Sequence, residues 1–494
     1  MADGSLIPFG AFQPDLSDLN GGFTSSAQNV YPRGDGFGPV GQLAAFSAAL
    51  GAVCRGYFYA RNTDSTVAIF AATATRLYKL DNTSFTWSDV SKGGAAYTSV
   101  ATTAQWQFQQ FNKYVIAVQA NVPPQVFDLT SSSAFADLGG SPPNAAYIAI
   151  VNRFVVLSGL ASNPLRVQWS GLNAPTTWTS GTNSSDFQDM SDGGPVRTIG
   201  ALGGEIGIIT QDDAVRRMVY QPGSDVIFTI ERAQGGRGIA EPYSLAVVGE
   251  RVFYRSTQGF VMADSSGAPI PIGKEKVDRW WASLADSTAR HLVIASGDPK
   301  GSYVVWSCKT TSGSANQFDM LLRYDFLLEQ WAPPVYQAGE FVSVMAAPGI
   351  TLEGLDAVST SIETMLTSFD NYALGGLSTL SVVNTAHQGA FFSTTPLEAI
   401  MDTPEQSQIS TRLRLTNGFK PITDAATVYG SVGYRNSLDE TATWTAESAR
   451  NRIGTCPLRA DAFYMRGRLR IPAGTAWTFA RGLVPQTMSG SGRA

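Results

Sequence analysis

From about residue 50 to residue 335 the chain alternates apolar and polar positions in short runs broken by turn residues, the pattern of half-buried β-strands. The stretch "FQQFNKYVIAVQA" (108–120) shows the unit: two such runs flank Asn112-Lys113, which reads as a tight hairpin. Comparable tips fall near Thr63, Asn112, Asn152, Gly203, Gly249 and Pro299, spaced 40 to 51 residues apart. Each tip is followed by a β-branched or aromatic run: "VAIFAA", "YVIAV", "FVVLS", "EIGIIT", "VFYRS" and "YVVWS". A third strand comes next ("RLYKL", "QVFDL", "RVQWS", "RMVYQ", "GFVMA", "LLRYDF"), and a fourth closes each unit ("TWSDV", "AFADLGG", "TTWTSG", "VIFTIE", "PIPIG", "EQWAPP").

Four short antiparallel strands repeated at this period predict an all-β fold, a β-propeller of six or seven four-stranded blades over 51–350. A single four-stranded sheet cannot bury both faces, whereas sheets packed face to face around an axis can, and closing the circle leaves no exposed end. Six blades are legible, and "FVSVMAAPG" (341–349) opens a partial seventh. The competing reading is a large β-sandwich with coincidental spacing. Residues 1–50 form an N-terminal arm whose hairpin, "AQNVYPRGDGFGPVGQLAAFS" (27–47), supplies a strand to the last blade and fastens the ring. Residues 351–376 have no clean period and read as a connector with one helical turn. Alternation returns over 377–494, predicting a C-terminal, sandwich-like all-β domain with a frayed "TMSGSGRA" tail.

Composition sharpens this picture. Forty-nine Gly and 25 Pro with only 15% charged residues suit a turn-rich β protein. The net charge of −5 divides into +6 over 405–494 and −11 before it, which marks the C-terminal segment as a separate unit. The start "MADGSLIPFGAF" has neither a basic nor an apolar region, so no signal peptide is expected, and no apolar run is long enough for a membrane helix. Cys54, Cys308 and Cys456 are odd in number and far apart, which predicts buried free thiols made in a reducing cytoplasm.

Catalytic and cofactor signatures in the sequence are weak. "GFGPVG" (36–41) matches a dinucleotide fingerprint by letter, but Pro39 and its hairpin context make the glycines turn residues, and no cofactor is expected. "QGGRGIAEP" (234–242) reads as a loop between blades. The two histidines, His291 and His387, sit in no recognisable catalytic elbow. Asp186, Asp189 and Asp192 lack the alternate-residue spacing of a calcium loop, so no metal is expected. No residue pair stands out for glycoside chemistry, and the repeated Asp motifs of sialidase-like propellers and the WD signature are missing. Arg33-Gly34-Asp35 is ordinary turn chemistry, with Arg33 and Asp35 as exposed candidates for an interface. Arg466, Arg468 and Arg470 in "YMRGRLRIP" project from one face of a strand, a repulsive row unless solvent or an acidic partner faces it. Trp87, Trp178, Trp281 and Trp331 cluster near blade ends, either as a glycan-stacking platform or as packing between blades.

Three stretches carry a resemblance. "PFGAFQPDLSDLNGGFTSSAQNVYPRGDGFGPVGQLAAFS" (8–47), "GKEKVDRWW" (273–281) and "GTCPLRADAFYMRGRLRIPAGTAWTFARGL" (454–483) resemble the tail-nozzle proteins of short-tailed bacteriophages, the tail tubular protein B type. The resemblance implies a non-enzymatic virion protein of the viral tail, assembled in the host cytoplasm. It implies a homo-hexameric ring below the portal and adaptor, attachment surfaces for tail fibres or spikes, and double-stranded DNA passing without specific binding or membrane insertion. An acidic balance suits such a channel, since every neutralised phosphate adds salt-dependent affinity that slows passage. Arg466, Arg468 and Arg470 then become candidate contacts to a neighbouring subunit or the adaptor. Two other classes stay open: a receptor- or glycan-binding propeller of a tail fibre, and a propeller glycoside hydrolase.

Overall fold

The structure, a computed structural model, describes residues 4–64, 66–233, 237–298, 301–346, 378–408, 411–486 and 488–491. The connector expected over 351–376 lies outside the described residues.

Seven four-stranded antiparallel sheets form the larger part of the molecule. Their innermost strands are Gly56–Arg61, Gln107–Phe111, Ala145–Val151, Val196–Leu202, Ala246–Val248, Ala295–Gly297 and Phe341–Ala346. Each touches the next, and the seventh touches the first, so the sheets are blades around one axis. The recurring hairpin is the inner half of a blade. Its tips adopt left-handed backbone where the turn demands it: φ is 52° at Asn112, 45° at Asn152 and 59° at Gly249. The second strand of each blade is wrapped on both faces by its neighbours, and Val67–Ala72 is buried at every position.

The seventh blade is complete. It runs Phe341–Ala346, Ser378–Val383, Gln388–Pro396 and, as its outermost strand, Gly41–Ala49 from the N-terminal arm. The arm therefore fastens the ring as the sequence suggests, with Phe46 stacked on Phe391 at 4.6 Å and Trp87 Nε1 of the first blade donating to Ala48 O at 2.9 Å. Gly41 is required here, because a Cβ at that position would lie 1.8 Å from Ser393 O.

Three boundaries differ from the sequence reading. Residues 378–396 belong to the propeller and not to the C-terminal domain, because Ser378–Val383 pairs along the full length of Phe341–Ala346. The fourth strand of the third blade is Asp186–Asp189, not "TTWTSG"; Trp178 folds inward from the preceding loop instead. Within the tail expected to fray, Met488–Ser491 forms a strand that pairs with Arg412–Leu415. A short helix, Asp278–Leu284, also interrupts the link between the fifth and sixth blades.

The second domain is built from both ends of the chain. Ile7–Pro8, Val30–Arg33 and Gly36–Pro39 join Phe419–Thr423 and Ala480–Pro485 in one sheet. Ala27–Gln28 joins Ala399–Asp402, Tyr464–Ile471 and Tyr429–Arg435 in another. Between them lies a core that includes Phe9, Val30, Phe37, Met401, Phe419, Leu469 and Trp477. This is the expected sandwich-like arrangement with one difference: its missing strands come from the arm.

Candidate functional site

The inner strands enclose an axial cavity of about 440 Å³. All seven blades contribute to its wall, and among the described residues none of those lining it is charged. Its polar side chains include Gln107, Gln109, Thr198, Ser296 and Ser343.

At the end where the chain enters the inner strands, side chains reach across the axis. Tyr243, ahead of the fifth blade, accepts a hydrogen bond from the Gln105 backbone N–H at 2.9 Å, ahead of the second. Gln105 Nε2 donates to His291 O at 3.1 Å, ahead of the sixth, and the Tyr147 and Tyr243 rings lie 5.8 Å apart. These links tie four blades together and close the axis on that side. Arg55 adds its guanidinium, donating to Thr102 O at 3.1 Å. Burial first, and then the Arg55 charge, lower the His291 pKa to about 4, so the ring is neutral at pH 7. Among the described residues, neither His291 ring nitrogen nor Gln105 Oε1 has a hydrogen-bond partner. The expected core or turn histidine is thus found buried in this plug.

His387 occupies a different niche. Its Nδ1 lies 2.6 Å from Oε1 of Glu340, and Oε2 of the same carboxylate accepts the Cys54 N–H at 2.8 Å. Burial raises the Glu340 pKa and pushes the Cys54 thiol up to about 12. The grouping of Cys, His and Glu is not a nucleophilic site: Glu340 grips the Cys54 backbone, and Sγ faces Gly56 O at 3.2 Å. It is a clasp between the last blade and the first. All three cysteines are free and buried, as expected.

The arginine row is where the structure most changes the sequence reading. Arg466, Arg468 and Arg470 do share one strand face, but the acidic partner is this chain itself. Arg466 meets Asp18 at 3.1 Å, and Arg470 lies between Glu398 (3.0 Å) and Glu447 (2.6 Å). Arg468 forms a two-pronged pair with Asp402 at 2.7 and 2.8 Å and stacks on Trp444 at 3.8 Å. The row is an internal clamp, since the antiparallel register sets Asp402 opposite Arg468 and Ile400 opposite Arg470. The carboxylates of "LEAIMDTPE" (397–405) are the residues sequence reasoning missed. Arg33 and Asp35 remain at an exposed hairpin tip, where Arg33 donates to Thr478 O at 2.7 Å and Asp35 meets Arg481 at 3.2 Å.

The other candidates are accounted for by local packing. Asp189 pairs with Arg166, and Asp192 with Arg216 and Arg232. Among the described residues no cluster of three His, Cys, Asp or Glu side chains could hold a metal. The glycines of "GFGPVG" lie in two strands. Trp281 and Trp331 are fully buried against Phe260, so packing between blades accounts for them.

The fold defines a seven-bladed β-propeller carrying a sandwich-like domain threaded by its own N-terminal arm. No family model and no curated protein matches the chain. The likeness to solved structures is low in identity and in TM-score. A quinoprotein alcohol dehydrogenase-like protein of Bacteroides thetaiotaomicron aligns at 10% identity and TM-score 0.38, over 57% of this chain and 65% of that one. The computationally designed Ika8 protein aligns at 11% identity and TM-score 0.39, over 72% and 100%. The extracellular domain of a putative one-component system of B. thetaiotaomicron aligns at 10% and 0.38, over 89% and 57%.

Proposed function

We propose that the chain is a structural subunit of a viral tail, of the nozzle type, in which a homo-hexameric ring joins the adaptor and portal above to fibres or spikes outside. In this reading double-stranded DNA passes the ring without specific binding, and the chain is not an enzyme. The observation that supports it is the convergence of the three stretches carrying the nozzle resemblance. Asp15 of the first stretch accepts the Arg279 and Trp280 N–H groups of the second at 2.9 and 2.7 Å. Phe12 meets the Trp280 ring edge-on at 5.4 Å. Ile7–Pro8 pairs with the third stretch through Leu483 and Gly482, and Asp18 binds its Arg466. Segments distant in sequence thus build one junction between propeller and second domain, a joint suited to a subunit held in a ring.

Quantitative mass spectrometry of gradient-purified particles tests the reading. Half as many copies of this chain as of a twelve-fold portal protein is the expected result. Absence from the particles, or a copy number of several trimers, overturns it.

A further inference from the structure

We infer that the axial cavity is a binding pocket for a neutral, hydroxyl-rich ligand of sugar size. Among the described residues each innermost strand pairs with another strand on one side only, so its other edge turns backbone N–H and C=O groups toward the axis. Seven such edges converge on a single cavity of about 440 Å³, within the roughly 300–1,000 Å³ range of small-ligand pockets. The bridge of Gln105, Tyr243 and His291 crosses the axis at the end where the chain enters the inner strands, so the cavity has a floor on that side.

The wall chemistry selects the ligand class. Gln107, Gln109, Thr198, Ser296 and Ser343 offer amide and hydroxyl groups that both donate and accept, as do the strand edges. A hydroxyl-rich ligand matches that mixture group for group. Among the described residues, an anion would find no lining cation and a cation no lining carboxylate. An apolar ligand would bury polar backbone edges without partners, at a cost of about 1–3 kcal/mol for each group. Phe58, Tyr59 and the half-exposed Val247 supply apolar surface for the C–H face of a ring. The inference stands independently of the nozzle reading, because it rests on the inner strands alone.

Saturation-transfer NMR on the full chain tests it, with glucose, galactose, N-acetylglucosamine and maltose as probes and glucuronate as the charged control. Transfer to at least one neutral sugar is expected, exceeding that to glucuronate. Ser343→Trp and Val247→Trp each fill the cavity from a different blade and should reduce the signal at least tenfold. Gln107→Ala/Gln109→Ala should weaken it without occluding the pocket. An unchanged melting temperature identifies which of these variants are folded. No transfer to any neutral sugar means a cavity that holds only water and overturns the inference. So does transfer that persists in both folded tryptophan variants, or a preference for glucuronate.

Discussion

Replacing Arg468 by Ala separates an internal clamp from an external docking residue. The Asp402 carboxylate has a side-chain exposure of 1%, and Arg468 gives it both hydrogen bonds of a two-pronged pair. Truncating Arg468 leaves that charge buried and unpaired, a loss of roughly 3–5 kcal/mol. The stacking of the guanidinium on Trp444 is lost as well, about 0.5–1 kcal/mol where the ring is partly exposed. With about 2–4 °C per kcal/mol for a unit of this size, calorimetry should show the second domain melting at least 6 °C lower. The compensated double variant Arg468→Met/Asp402→Leu removes both charges and should recover most of the loss, since well-packed apolar pairs replace buried ion pairs at little cost. A folded Arg468→Ala protein that melts within about 1 °C of the parent would refute the clamp. It would return Arg468 to the role of a free contact for another subunit.

Three further outcomes are expected. Deleting residues 1–50 removes the outermost strand of the seventh blade and four strand segments of the second domain sheets, so the remaining chain should lose its cooperative melting transition; a cooperative transition in 51–494 would contradict closure by the arm. Asp15→Ala leaves the first turn of Asp278–Leu284 without the carboxylate that accepts its Arg279 and Trp280 N–H groups, and should cost about 1 kcal/mol while speeding proteolysis of the arm; unchanged cleavage kinetics would argue against this contact. His291 is protonated in the unfolded chain below about pH 6.5 but in the folded chain only below about 4. Its contribution is therefore fully present above pH 6.5 and lost as pH falls from 6.5 to 4, and His291→Gln should flatten the stability curve in that window.

Legibility followed the range of the interactions. The blades were readable because each is local: four strands joined by tight turns, with Asn112, Asn152 and Gly249 announcing the hairpin tips. The seventh blade was only half legible because its strands come from residues 41–49, 341–346 and 378–396, and no period connects them. The same cause hid the clamp. Alternation placed Arg466, Arg468 and Arg470 on one face, but the carboxylates opposite them lie at Asp18, Glu398, Asp402 and Glu447, brought near by pairing alone. The charge split between the two parts of the sequence has a related origin. Acidic Asp18 and Asp35 of the arm belong structurally to the basic C-terminal segment, where they meet Arg466 and Arg481. The plug across the axis was invisible because its members precede four different blades.

This topology has a consequence for how the protein reaches its native state. Strands far apart in the sequence pair with each other: Ile7–Pro8 with Ala480–Pro485, and Gly41–Ala49 with Gln388–Pro396. Neither the closed ring nor the second domain can be completed until nearly the whole chain is available. Until residues 388–396 are available, the arm strand Gly41–Ala49 has no ladder to join, the feature that invites mispairing with other chains. Contacts of such long separation also slow folding, because the loop between them must be closed before they contribute. What is gained is mutual dependence. Once the arm is seated, pulling the second domain away from the propeller requires unpairing the strand that holds the ring shut. Separation of the domains and opening of the ring are therefore coupled events, resisted by both hydrogen-bonded ladders at once.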